Sequence, residues 1–263
     1  DEIFVDTDAR ADYVETMRYL KLLGIPITIN ISSYSDYYLG SSVIKKISDF
    51  TFVTSAITIV RFRQIVLKRL MDISIALVGI FLTGIVALII APIVKKESPG
   101  PLLFKQIRVG KYGKKFYIYK FRSMYMDAEK RKKELLSQND LDTHLMFKME
   151  NDPRIFPFGQ KLRDWSLDEL PQFINVLKGD MSVVGTRPPT LDEYKKYEIH
   201  HFKRLATKPG ITGLWQVSGR NNITDFEEVV SLDLKYIQNW SIGQDIKIIA
   251  KTFAVVLKRE GSR

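Results

Sequence analysis

The sequence contains no cysteine, and its three histidines are His144, His200 and His201. The first absence excludes a disulfide framework, a thiolate zinc centre, an iron–sulfur cluster and a cysteine nucleophile. The scarcity of imidazole makes a histidine-rich metal site a poor expectation. Charge is missing from one long stretch, Ile73 to Val94, which runs 22 residues without Asp, Glu, Lys or Arg. The composition of a disordered chain is absent too: 263 residues at 45% hydrophobic and 27% charged make one large domain or two small ones. Chemistry is left to oxygen and nitrogen groups, chiefly carboxylates and arginines.

The net charge of +10 is local. Between Lys95 and Lys133, 13 Lys and Arg stand against Glu97, Asp127 and Glu129, which accounts for the whole excess. Such a segment meets nucleic acid, an anionic membrane surface or a phosphorylated substrate, or is a solvated helix face. The uncharged run beside it, flanked by Lys68-Arg69 and Lys95-Lys96, has the length of a membrane element. A buried core helix is the alternative, but such helices usually keep a polar stripe. Basic residues at both ends give the positive-inside rule no asymmetry. Both ends therefore read as cytoplasmic, and a span and a re-entrant dip broken at Thr83-Gly84 or Pro92 both fit.

Glu2–Asp6, Ala9–Leu23 and Ile25–Ile31 read as strand, helix and strand, the end of an α/β unit closed at Gly24. An opening Asp rather than Met fits a fragment that starts inside that unit. Ser32–Ser42 reads as a loop, and Phe50–Ile65 as the lead into the apolar run. Beyond the Ser98-Pro99-Gly100-Pro101 turn, Leu102–Val109 and Lys115–Phe121 around Gly110 and Gly113 predict a β-hairpin. Met126–Leu136 reads as a charged helix, Asn139–Pro157 as a polar connection, and Phe226–Lys258 as two amphipathic helices.

Polar groups crowd residues 158–189. The plain reading of Ser166-Leu167-Asp168-Glu169 is a capping box. Pro171 argues against it, because a helix starting at Ser166 would lose a backbone bond there; a start nearer Asp168 puts the proline in the first turn. Adjacent carboxylates do not share a helix face, so Asp168 and Glu169 suit different tasks. Arg163 and Arg187 suit phosphate oxygens, or ordinary surface ion pairs. The segment around Gly210, Gly213, Gln216, Gly219, Arg220 and Asn221 is a glycine-rich loop that either admits a ligand to backbone or is a surface turn.

Taken in order, Lys68-Arg69-x-x-Asp72, Ser98-Pro99-Gly100-Pro101, Tyr119-Lys120-Phe121-Arg122-Ser123-Met124, Asn151-Asp152-Pro153-Arg154, Ser166-Leu167-Asp168-Glu169-Leu170-Pro171-Gln172, Gly179-Asp180-Met181-Ser182 and Lys208-Pro209-Gly210-Ile211-Thr212-Gly213 make a specific set. On these motifs, the sequence from Lys68 onward resembles the bacterial sugar transferases, or monotopic phosphoglycosyl transferases, of the large type that starts exopolysaccharide or capsule synthesis. The resemblance implies an α+β fold: a mainly helical catalytic domain with a re-entrant membrane helix and a short β-hairpin. In residues, 68–263 would be that domain with its membrane helix at 73–94, 49–67 a linker, and 1–48 the C-terminal fragment of an α/β nucleotide-binding-like domain. The implied activity moves a sugar-1-phosphate from a UDP-sugar to undecaprenyl phosphate with release of UMP, at the cytoplasmic face of the cell membrane. Asp168 would be the nucleophile and touch the required Mg2+, and Glu169 would assist at the acceptor. Lys120, Arg122, Arg163 and Arg187 would hold phosphate, with Gln216, Arg220 and Asn221 as a substrate loop. Two places depart from the pattern: Gly84-Ile85 stands where many members have Ser-Pro or Ala-Pro, and Gly185-Thr186-Arg187-Pro188 replaces Gly-Pro-Arg-Pro.

Anionic lipid is a further expected partner, and a homo-oligomer is compatible with the sequence. A membrane-tethered scaffold would need neither Asp168 nor Glu169. A nucleic-acid module would use the basic segment with Phe116, Tyr117, Tyr119 and Phe121 for stacking, but a strand alternating into a small core accounts for these aromatics equally well. Nucleic acid is accordingly not an expected partner.

Overall fold

The structure, a computed structural model, describes residues 3–5, 19–20, 22–30, 42–47, 50–58, 60–134, 149, 152–219, 223 and 225–258. Near the N-terminus, β1 (Ile3–Val5), β2 (Ile27–Asn30), β3 (Ser42–Ile47) and β4 (Phe50–Ser55) form a sheet in the order β1-β2-β4-β3. β1 and β2 are parallel, as a strand–helix–strand unit requires; the helix expected at Ala9–Leu23 falls mostly outside the described residues. β3 and β4 are an antiparallel hairpin, and β4 also pairs with β2, where the Thr28 and Thr54 hydroxyls meet at 2.8 Å. Phe50–Ser55 is therefore a strand of this sheet rather than the start of a linker. Its aromatic and β-branched residues suit a pleated, half-buried surface.

The apolar run lies within α1 (Phe62–Glu97), 36 residues and so about 54 Å long. This helix also takes in Phe62–Leu67 of the expected linker, and it continues through Thr83-Gly84 and Pro92, where the sequence suggested a break. Asp72, Ala76, Gly79, Thr83, Ile90 and Val94 recur at helical steps and form one narrow buried stripe. Leu77, Phe81, Leu88 and Ile89 on the other faces are more than half exposed. Among the described residues α1 is the one helix long and apolar enough to cross a membrane.

The remaining elements pack along that stripe. β5 (Leu103–Val109) and β6 (Lys115–Phe121) form the expected antiparallel hairpin, Leu103 opposite Phe121 and Val109 opposite Lys115. After α2 (Ala128–Glu134) and α3 (Pro157–Asp164), a 3-10 turn at Leu167–Glu169 leads into α4 (Gln172–Lys178). β7 (Ser182–Val184) pairs in parallel with β8 (Gly210–Thr212); between them lie α5 (Leu191–Lys195) and a 3-10 helix at Ile199–Ala206. α6 (Phe226–Gln238) and α7 (Ile242–Lys258) are the two amphipathic helices expected at the end. One core joins Ala76 of α1 with Phe116, Ile118, Val176, Met181, Val184, Tyr236 and Ile248; another joins Ile90 and Val94 with Phe121, Phe156 and Leu162.

Polar side chains moor both ends of α1. Lys68 Nζ reaches Asp245 Oδ2 at 2.6 Å and the Val184 carbonyl at 3.1 Å. Arg69 donates to the carbonyls of Val176 and Leu177 at 2.7 and 2.8 Å, a cation at the C-terminal end of α4, where the helix dipole favours positive charge. Asp72, 3% exposed, accepts from the Ser182 hydroxyl and the Val183 amide, both at 3.0 Å. At the far end Glu97 accepts from the Phe158 amide at 2.8 Å. Arg122 closes the turn beyond α1, donating to Ser98 Oγ at 2.8 Å and to the carbonyls of Ser98 and Pro99.

Candidate active site

Asp168 and Glu169 occupy the turn ahead of α4. Ser166 has a left-handed backbone (φ 52°) and its side chain caps nothing, so the capping box does not form; Pro171 precedes the first helical residue, where its missing N–H has no consequence. Three contacts fix the turn. Asn175, fully buried, accepts from the Tyr119 amide at 3.1 Å and donates to the Tyr117 carbonyl at 2.6 Å, joining α4 to β6 as another strand would. Thr83 of α1 shares its one hydroxyl proton between the Gly79 carbonyl of its own helix, at 2.6 Å, and the Leu170 carbonyl, at 3.1 Å. Phe173 lies against Gly79, where a Cβ would stand 2.3 Å from its ring.

Asp168 is 8% exposed. Glu169 beside it pairs through Oε1 with Lys120 Nζ at 2.8 Å, so the two carboxylates do have different surroundings. Next to them is a cation that the sequence reading missed. Arg108, on β5, donates to the Pro188 carbonyl at 3.0 Å and to Gln106 Oε1 at 3.1 Å. Burial, then the Arg187 charge, brings its guanidinium down to about 10, against the pull of Glu193 and Glu169. Arg187 itself forms a two-pronged pair with Glu193, both contacts 3.0 Å. Burial pushes the Glu193 carboxyl up, but the charge and hydrogen bonds of Arg187 outweigh it and hold the group at about 2. Glu193 is placed by a capping box: Thr190 Oγ1 accepts from its amide at 3.1 Å, and its carboxylate accepts from the Thr190 amide at 2.8 Å. Beneath this loop Arg204, 1% exposed, pairs with Asp233 at 2.7 Å, and its carbonyl accepts from Thr186 at 3.1 Å.

Lys120, Glu169, Arg108, Arg187 and Glu193 are thus linked electrostatically, through the Lys120–Glu169 pair, the charge of Glu169 on Arg108 and the Arg187–Glu193 pair, and Asp168 adjoins this chain in sequence through Glu169. Two adjacent guanidiniums share one carboxylate, and that arrangement favours an incoming anion. Nothing local in the sequence marks Arg108; the signal is the bridge of its strand to Thr190, a contact 82 residues away in sequence. Arg163 is half-buried on α3, and its charge acts on Asp152, whose carboxylate grips Arg154 at 2.6 Å. Arg122 is 4% exposed and turned to the Ser98-Pro99 turn, away from the group around Glu169. Gln216 donates to the Ile211 carbonyl at 3.2 Å within its own loop, while Arg220 and Asn221 lie outside the described residues.

His200, His201 and Glu227 also cluster with metal-like spacing. His201 Nδ1 accepts from the Glu198 amide at 3.0 Å, so Nε2 carries the proton and donates it to Glu227 at 2.6 Å. The nitrogen that would face a metal is thereby occupied. Burial works upward on the Glu227 carboxyl, and the hydrogen bonds from His201 and His200 overcome it.

The sequence model described as bacterial sugar transferase matches residues 63–259. The chain belongs to this family. It is 49% identical over 244 residues to a galactosyl transferase of Streptococcus agalactiae, covering 93% of this chain and 54% of that protein. Identity to an undecaprenyl-phosphate galactose phosphotransferase of Salmonella typhimurium is 48% over 168 residues, 62% of this chain and 35% of the relative. With the UDP-glucose:undecaprenyl-phosphate glucose-1-phosphate transferase of Escherichia coli it is 41% over 193 residues, 71% and 39% respectively. The chain therefore spans about half, or less, of the length of these relatives. All of the group around Asp168 lies inside the matched family region.

Proposed function

We propose that the chain transfers a sugar-1-phosphate from a UDP-sugar to undecaprenyl phosphate, releasing UMP. The observation that carries this reading is the buried Asp168 carboxylate next to Glu169, which pairs with Lys120 and whose charge reaches Arg108, in a family of sugar transferases. In the first step an Asp168 oxygen attacks the β-phosphorus, the bond from that phosphorus to the bridging oxygen breaks, and UMP leaves with the bonding pair. Asp168 then carries the phosphosugar as a mixed anhydride. In the second step an oxygen of undecaprenyl phosphate attacks the same phosphorus and frees the carboxylate, with Glu169 receiving any proton the acceptor still bears. The cations neutralise the charge that grows on the phosphate oxygens.

Mg2+ fits this donor set. It takes oxygen ligands and typically binds one or two carboxylates together with substrate phosphates; here those would be Asp168 and the diphosphate. Bound there it would supply further charge neutralisation.

The mooring of α1 favours a one-sided membrane arrangement at the cytoplasmic face. Elements of one domain hold Lys68 and Asp72 at one end and Glu97 at the other. A hydrocarbon core of about 30 Å between those ends would separate these contacts. With both ends on one side, the exposed apolar faces of α1 meet lipid while its narrow stripe stays on the domain.

The test is UMP release from a panel of UDP-sugars, with Mg2+ and undecaprenyl phosphate, by the wild type and by Asp168→Asn. Release by the wild type alone is expected, and the best donor names the sugar. Equal release by the variant would remove Asp168 as nucleophile, and no release from any donor would remove the reaction.

A further inference from the structure

Three motifs that the proposed chemistry does not use meet at one corner of the fold: Lys68-Arg69, Gly179-Asp180 and Lys208-Pro209-Gly210. Gly179 ends α4 with φ +87°, and a Cβ there would stand 3.6 Å from both Arg69 Nη2 and Lys208 Nζ. The absent side chain leaves a notch between two cations. Arg69 is held in place by the last carbonyls of α4. Lys208 is half-buried and makes no hydrogen bond or ion pair among the described residues. Burial, then the charge of Arg69, lowers its pKa, with Lys111 acting in the same sense and Asp72 and Asp180 opposing. Lys178 stands on the next position of the chain, its ammonium 4.8 Å above the Tyr119 ring.

We propose that this notch binds the phosphate of an anionic phospholipid headgroup. The charge is complementary: Arg69 and Lys208 face the notch, the charge of Lys111 also reaches Lys208, and Asp180 is the nearby opposing carboxylate, since Asp72 is already engaged by Ser182 and Val183. The position is that of a headgroup. Arg69 comes one turn before the uncharged run that starts at Ile73, and Leu70 on α1 and Leu177 on α4 flank it as exposed apolar side chains, 56% and 38%. A cation pair beside exposed leucines and a cation-stacked tyrosine matches the composition of a membrane interface, with phosphate above and acyl chain below. A soluble anion would make no use of the leucines.

The experiment is native mass spectrometry of the full chain in detergent, titrated with phosphatidylglycerol or phosphatidylcholine. The wild type is expected to retain phosphatidylglycerol in preference. Lys208→Gln should weaken that retention about fivefold, Lys208→Arg should restore it, and Lys251→Gln, on exposed α7 surface, should leave it unchanged. Excess inorganic phosphate should not displace the lipid. Equal retention by Lys208→Gln and wild type, absence of headgroup preference, or full displacement by phosphate would each overturn the proposal.

Discussion

Gly79 couples α1 to the turn that carries Asp168, and adding one methyl group there tests the coupling. In Gly79→Ala the new carbon would stand 2.3 Å from Cγ and Cδ2 of Phe173. Carbon atoms in contact keep roughly 3.5 Å or more, so the ring must retreat by about 1 Å. Phe173 is the second residue of α4, five beyond Asp168, and a retreat of that size moves the turn against Lys120. Overpacking a filled site costs about 1–3 kcal/mol, against which the helix gains about 1 kcal/mol from losing a glycine. Gly84 measures that gain in isolation, because a Cβ there meets nothing within 4 Å. Thermal unfolding in detergent, with UMP release on the same samples, should place Gly84→Ala at or slightly above wild type in stability and equal to it in rate. Gly79→Ala should melt several degrees lower than Gly84→Ala, at about 2–4 °C per kcal/mol, and lose tenfold or more in rate, since misplacing a catalytic group by about 1 Å can cost about a hundredfold. A Gly79→Ala protein as stable and as fast as Gly84→Ala would refute the coupling.

Glu193→Gln should be destabilising at neutral pH by roughly 3 kcal/mol, from a carboxyl held at about 2 against its ordinary 4.5. Because the folded value is the lower one, this stability is complete above about 4.5 and disappears as pH falls toward 2; melting curves of the two proteins should converge in that window, and a constant gap down to pH 3 would contradict it. Arg108→Gln should raise KM for the UDP-sugar about tenfold without lowering the melting temperature, since it relieves repulsion with Arg187. Arg122→Gln, which removes the clamp on the Ser98-Pro99 turn, should do the reverse, and an exchange of the two phenotypes would show the assignments to be wrong. Single cysteines at the exposed Arg63 and Lys96 of this cysteine-free chain should both label from the cytoplasmic side of membrane vesicles. Labelling from opposite sides would establish a span.

The β5–β6 hairpin was readable because turn glycines at 110 and 113 punctuate two alternating runs, and α6 and α7 because apolar residues keep helical period. β3 and β4 were harder. Phe50–Ser55 abuts an apolar stretch, and as a strand it pairs both with neighbouring β3 and with β2, which comes before a long intervening segment. Asp168, Glu169, Lys120 and Arg187 are named from motifs; in the structure Lys120 pairs with Glu169, while Arg187 pairs with Glu193. Arg108 is not so named, since its importance comes from a bridge to Thr190 that no local pattern reports. The resemblance implies Arg122 as a phosphate ligand; β6 ends at Phe121, and beyond it the Arg122 guanidinium donates to the Ser98-Pro99 turn.

Several of the motif residues in this chain, with Gly79 and Thr83 between them, fasten α1 to the domain. Lys68, Arg69 and Asp72 hold one end, Ser98 and Arg122 the other, and Gly79 and Thr83 the middle, where the stripe touches Phe173 and Leu170. The reaction proposed gives that arrangement a physical purpose. Its donor arrives from water and its acceptor is tethered in lipid, so the nucleophile must sit at a fixed height above the hydrocarbon. A carboxylate on a free loop would have no such height. Asp168 is two residues before a carbonyl in contact with Thr83, on the helix whose other faces expose Phe81, Leu88 and Ile89, so under the proposed reaction the element that would meet lipid would also set the position of the attacking oxygen.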